Sequence, residues 1–211
     1  MIVIGTGNRN KVVEIAALPA AQGLELSPAA SFGTPPEIVE DGQTFLANAE
    51  IKALAYSTWL LEEYNIHPLV LAEDSGLEVD ALSGWPGVNS ARTAPTNEER
   101  IQLVLDKLTG VDDRRARFVA VTVLAEAGKV VGSWEGSVEG AITSQCRGDS
   151  GFGYDPVFEI VRLGKTFAEL GRDMKNTMSH RTKAWTSAFN DLRSRGLLPD
   201  RRALSRDVEM I

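Results

Sequence analysis

The chain has 211 residues, 43% of them hydrophobic and 24% charged, an ordinary globular composition that argues against disorder of the whole and is long enough to bury a substantial core in one large domain or two small lobes. Its 22 Lys and Arg stand against 29 Asp and Glu, a net charge of -7, which disfavours non-specific binding to nucleic acid or to an anionic membrane. It does not exclude a small polyphosphate held by local lysines, backbone amides and a metal ion.

The apolar run Met1 to Ile4 enters Gly5-Thr6-Gly7 without a basic leader, so residues 1 to 5 read as a buried strand and not as a signal peptide. No run approaches the roughly twenty apolar residues needed to span a bilayer, and a cytoplasmic protein is expected. Arg9 to about Leu18 reads as a helix that Pro19 ends. Ser27 to Pro36 is rich in Pro, Ala, Ser and Gly and reads as a loop, followed by the acidic group Glu37, Glu40 and Asp41. A long helix runs from about Thr44 to Tyr64, with Phe45, Ala49, Ala53, Tyr56 and Leu60 as its buried stripe.

Leu69 to Ala72 reads as a buried strand with Glu73 and Asp74 at its C-terminal end, where ligand sites of open α/β sheets gather. His67 before it is read as structural. Gly84 to Gly87 is a loop. Thr96 and Glu99 form a capping box opening a helix to about Leu108. Arg117 to Leu124 and Lys129 to Trp134 read as two strands turned at Ala127-Gly128, with Gly-rich connections after them. Thr166 and Glu169 repeat the capping-box spacing. Ser179 is the expected N-cap of a last helix carrying Trp185, Ala188, Phe189 and Leu192, ended by Gly196. Residues 1 to 196 are expected to form a single domain, with 197 to 211 a patternless tail. Cys146, the single cysteine, cannot form an internal disulfide and reads as a small filler residue in a reducing compartment.

Three separated stretches carry chemistry. Thr6, Gly7, Asn8, Arg9, Asn10 and Lys11 combine a flexible turn, hydrogen-bonding side chains and a point charge at a helix start, the donors that phosphate oxygens need, although a Gly-containing turn is also common architecture. Lys52 reads equally as a second phosphate charge or as a solvated surface lysine. Glu40 and Asp74 are the candidate ligands for magnesium, which on a polyphosphate takes only one or two protein carboxylates. Asp74 is also placed to accept a proton from the attacking water, whereas Glu73, on the other side of the strand, reads as structural. Phe152 and Tyr154 around Gly153 are either core anchors or a stacking platform, and the adjacent Asp155 adds a fixed acceptor for a base. His180-Arg181 at a helix start suits an anion or a carbonyl oxygen.

These motifs together resemble the inosine and xanthosine triphosphate pyrophosphatase family over about residues 1 to 195. The resemblance rests on Thr6-Gly7-Asn8 with Lys11, Gly42, Phe45, Asn48-Ala49, Lys52-Ala53, Asp74-Ser75-Gly76-Leu77, Val79-Asp80, Pro86-Gly87, Ser90-Ala91-Arg92, Gly151 to Pro156, Lys165 to Leu170, Lys175-Asn176 and Ser179-His180-Arg181. It implies an α/β fold with a long mixed central sheet flanked by helices, two lobes around a substrate cleft, and a homodimer. It further implies magnesium-dependent hydrolysis of a purine nucleoside triphosphate between the α- and β-phosphates. By the same resemblance Asp74 is the proton acceptor and a metal ligand, Glu40 the second ligand, and Thr6 to Lys11 with Ser75 and Lys175 contact substrate, Lys11 being catalytic together with Asp74, with Phe152 to Asp155 and His180-Arg181 at the base. Two positions depart from the family pattern: Ala47 stands where Glu is frequent and Thr93 where an aromatic is. A related pyrophosphatase for other modified nucleotides and a catalytically silent nucleotide sensor are the alternatives.

Overall fold

In the computed structural model, which describes residues 1–199, the apolar runs join in one seven-stranded sheet ordered β2-β1-β3-β4-β5-β6-β7. The strands are β1 (Ile2–Gly5), β2 (Leu26–Pro28), β3 (Leu69–Val79), β4 (Arg115–Glu126), β5 (Lys129–Ile142), β6 (Phe158–Ile160) and β7 (Lys165–Thr166). β1 runs parallel to both neighbours and every later pair is antiparallel, so the sheet is mixed, as expected. Ala127 and Gly128 both take positive φ, which suits the tight turn that joins β4 to β5 with the twist of the strands preserved.

Helices cover both faces. α2 (Phe45–Tyr64) lays Phe45, Ala49 and Ala53 on Ala72, Val119, Val121, Val123 and Ala125. On the other face α5 (His180–Ser194) buries Trp185, Ala188, Phe189 and Leu192 against Ile2, Ile4, Leu71 and Leu124. Because β4 is covered on both sides, its residues from Phe118 to Ala125 are apolar almost continuously and not alternately. The remaining helices are α1 (Arg9–Ala16), α3 (Asn97–Lys107) and α4 (Phe167–Met178). Both capping boxes form, at Thr96 with Glu99 and at Thr166 with Glu169, and Ser179 caps α5 by accepting from the Thr182 amide.

Several expectations are corrected. β3 does not end at Glu73 and Asp74: it continues through Ser75 and Gly76 to Val79, so the two carboxylates lie in mid-strand. β5 likewise runs to Ile142 through the stretch read as Gly-rich connections. A β-carbon on Gly136 would lie 2.3 Å from the His180 carbonyl and 2.5 Å from the Ala184 amide; this glycine therefore lets α5 pack closely on the strand. β2 overlaps the start of the stretch read as a loop, at Ser27 and Pro28. Cys146 is exposed and fills nothing. Leu198 packs against the α5 cluster, so the tail does not begin at 197; residues 200–211 lie outside the described residues.

Candidate active site

The site forms where β1 stops. Gly5 is the last β1 residue paired with β3, opposite Ala72, and farther along β3 Ser90 closes the same edge by donating and accepting at Leu77. Between these points β3 presents Glu73, Asp74, Ser75 and Gly76 beside the β1–α1 turn. A β-carbon on Gly76 would lie 2.4 Å from the Gly87 carbonyl and 2.5 Å from Ser90 Oγ, so glycine is what lets that closing segment approach. A pocket of about 880 Å³ opens here. It is lined by six Lys and Arg side chains against three Asp and Glu, reversing the sign of the whole chain, as an anionic ligand requires.

Thr6, Gly7, Asn8, Asn10, Lys11, Glu40, Lys52, Asp74, Ser75, Phe152, Gly153, Tyr154, Asp155, Lys175, His180 and Arg181 all line this one pocket. Arg9 does not: it is exposed on the first turn of α1 and is not among the lining residues. Asn8 is the N-cap of α1, its Oδ1 accepting from the Asn10 and Lys11 amides at 3.0 and 3.3 Å. A β-carbon on Gly7 would meet nothing within 4 Å, leaving the turn's backbone open to a close ligand.

Neighbouring carboxylates on β3 point to opposite faces and do different things. On the α5 face, Glu73 accepts from Arg181 at 2.7 and 3.0 Å and from the Trp185 indole at 2.7 Å, with Lys11 at 3.2 Å. Glu14, from α1, accepts from Lys175 at 2.8 Å and from Arg181, and Lys175 also donates to Asp155 at 2.6 Å. Three buried acids and three cations thus alternate in one network. Burial alone would raise the Glu73 carboxyl, but Arg181 and then Lys11 hold it well below the usual carboxylate range. Burial dominates at Lys11 and lowers its ammonium from the ordinary lysine value.

On the α2 face, Asp74 accepts from Lys52 at 2.6 Å and from Asn48 Nδ2 at 3.3 Å, and Lys52 also donates to Glu40 at 2.9 Å. Lys52 is therefore a buried member of the site and not a solvated surface lysine. Asn48 Oδ1 accepts from the Gly42 amide at 2.8 Å, which ties the loop bearing Glu40 to Asp74. Among the described residues there is no cluster of three or more His, Cys, Asp or Glu able to enclose a metal. Glu40 and Asp74, which share Lys52 as donor, are two carboxylates of the kind that could hold a hard cation together with a polyphosphate's own oxygens.

At the far side of the network the Phe152 ring lies over Lys175 Nζ at 4.8 Å and over the Arg181 guanidinium at 5.7 Å. Tyr154 serves as an anchor: it is buried, and its hydroxyl donates to the Ser90 carbonyl at 2.9 Å. Thr93 touches that hydroxyl at 3.4 Å. His180 is 4% exposed, stacks on Phe118 with centroids 4.7 Å apart, and its Nδ1 has no partner among the described residues. A buried unpaired ring nitrogen costs free energy unless something binds it. Burial, then the Arg181 charge, lowers its pKa well below the ordinary histidine value, which favours the neutral ring. Glu14, Asn48 and Tyr56 were not singled out as site residues from sequence. They sit on helices: Glu14 is revealed by Lys175 and Arg181, Asn48 by Asp74, and Tyr56 by the pocket it lines.

Fold and pocket define an α/β nucleotide-type site: a phosphate turn, a carboxylate pair and an aromatic platform in one cavity. The chain belongs to the Ham1 family, whose profile matches residues 2–191. It is 45% identical over 190 residues to the dITP/XTP pyrophosphatase of Geobacillus kaustophilus, covering 88% of this chain and 90% of that one. It is 43% identical over 196 residues to the dITP/XTP pyrophosphatase of Desulforamulus reducens, covering 90% and 94%. Among solved structures, the Staphylococcus aureus Ham1 protein superposes with a TM-score of 0.80 at 34% identity, over 92% of this chain and 98% of that one. A HAM1 protein from Coxiella burnetii gives 0.79 at 36% identity with the same coverage.

Proposed function

We propose that this protein hydrolyses non-standard purine nucleoside triphosphates (ITP, dITP and XTP) to the nucleoside monophosphate and pyrophosphate, with magnesium, and so cleanses the nucleotide pool. The observation that supports it most is the convergence of all three chemical elements on one cationic pocket, in a chain whose relatives carry the name dITP/XTP pyrophosphatase over nearly its whole length. The Thr6–Lys11 turn, Lys52 and Lys175 take the phosphates. Phe152 stacks on the base, and the neutral His180 ring offers its unpaired Nδ1 to it. Arg181 spends four of the five guanidinium donors on Glu73, Glu14 and Ser75, which fixes its plane and leaves one N–H for a base oxygen. A donor aimed at O6 meets the 6-amino group of adenine donor to donor, and rejection from such a mismatch reaches about 10⁴.

Glu40 and Asp74 would hold the metal, which when bound offsets phosphate charge and lowers the pKa of water. Asp74 accepts the proton of the attacking water, and Asn48 keeps that carboxylate in place. A cytoplasmic, two-lobed homodimer completes the proposal. Among the described residues no helix is long and apolar enough to cross a membrane.

The test is a panel of dITP, XTP, ATP and GTP with and without magnesium, scored separately for pyrophosphate and orthophosphate. Turnover of dITP and XTP to pyrophosphate is expected, with little from ATP or GTP. Orthophosphate as the product would refute the bond assignment, and absence of turnover would favour the sensor.

A further inference from the structure

α2 carries Asn48, Lys52 and Tyr56 four residues apart and therefore on one stripe, and Lys52 and Tyr56 line the pocket. Asn48 and Lys52 are engaged with Asp74, Glu40 and the Gly42 amide. Tyr56 is different. Its ring packs with Val3, Leu60 and Val70 and lies over Gly5, where a β-carbon would approach Tyr56 Cδ2 to 2.7 Å. Phenylalanine would meet that packing as well. The hydroxyl, at a residue only 6% exposed that lines the pocket, makes no hydrogen bond among the described residues. Burial first and the Glu40 charge second raise its pKa above the ordinary phenol value, so it remains a protonated donor.

Position suggests what it donates to. Phe152 and His180 stand with α5 on one face of β3, whereas Tyr56 stands on the α2 face beside Lys52, Glu40 and Asp74. A nucleotide with its base on the first face must carry its phosphate tail across the open edge of β3 toward the second. We infer that the Tyr56 hydroxyl donates a hydrogen bond to the β,γ-phosphate portion of the substrate, the part that leaves as pyrophosphate, and so acts as a leaving-group-binding residue. This rests on the reaction proposed above.

The experiment compares wild type and Tyr56→Phe, which keeps the packed ring, by competitive inhibition of dITP hydrolysis with pyrophosphate and separately with dIMP. Loss of one hydrogen bond to a charged group should raise the inhibition constant for pyrophosphate about tenfold and leave that for dIMP unchanged. No change in either constant, an equal change in both, or a change for dIMP alone would overturn the inference. Wild-type release of orthophosphate would instead overturn the underlying reaction, so the two failures are distinguishable. Should Tyr56→Phe fail to fold, wild-type protein labelled at tyrosine Cζ is titrated with pyrophosphate. A shift of the Tyr56 resonance supports the contact, and an unmoved resonance at saturation refutes it.

Discussion

Replacing Glu73 by Gln removes one buried negative charge and almost no volume. At 2% exposure this carboxylate faces Arg181, Lys11 and the Trp185 indole, and Arg181 and Lys11 would then be balanced only by Glu14 and more distant acids. Breaking one side of a buried ion pair costs about 3–5 kcal/mol; because the amide still accepts one hydrogen bond, the lower figure is expected. At about 2–4 °C per kcal/mol for a chain of this size, the melting temperature should fall by roughly 6–12 °C. The pH dependence has a definite sign. A carboxyl held below its ordinary value in the folded state stabilises fully above the unfolded value, about 4.3, and loses that contribution as pH falls through the folded value. Glutamine has no such contribution. Denaturant melts at pH 7 should therefore separate wild type and Glu73→Gln by about 3 kcal/mol, and the gap should narrow steadily in acid. A difference under about 1 kcal/mol at pH 7, or one that stays constant into acid, would refute the reasoning.

Asp74→Asn should lower kcat for dITP by about 10²–10⁴ with unchanged circular dichroism, since the lost function is proton acceptance; residual activity near wild type would exclude the assignment. Because burial, then the Arg181 charge, lowers the His180 pKa well below the ordinary histidine value, its ring NMR resonances should show no titration step near pH 6.5, the value of a free histidine, and a step there would contradict the shift. Ala47 occupies the third position of α2, where its amide donates to the Thr44 cap at 3.1 Å without a returning side chain. Ala47→Glu completes a capping box there and should stabilise by about 0.5–1 kcal/mol in urea melts; no gain would mean that the acid is repelled by its neighbours.

Local signals carried far in the sequence. Thr96 with Glu99, Thr166 with Glu169 and the Ser179 cap depend on residues within one turn, and each appears in the structure as read. What escaped depends on distant partners. Glu73 to Gly76 look too polar for a buried strand, yet β3 continues through them because Arg181, Lys11, Lys52 and Asn48 arrive from α5, α1 and α2 to satisfy the charges. The glycines of β5 suggest a connection, but Gly136 is there to admit the backbone of α5. β2 pairs along one edge only and ends on Pro28, so it shows neither length nor alternation. In the site, the motif residues were legible as residue types and their gathering was not: Glu14 gives no sign in sequence that it bridges Lys175 and Arg181, and Arg9, between pocket residues in sequence, does not line the pocket.

The most direct measurement is a crystal structure of Asp74→Asn with dITP, whose slowed chemistry should keep the substrate intact. The expected density places hypoxanthine against Phe152 and His180, with the triphosphate running past the Thr6–Lys11 turn to Lys52. A base bound outside the Phe152 platform, or phosphates away from that turn, would contradict the single-pocket reading on which the proposed chemistry rests.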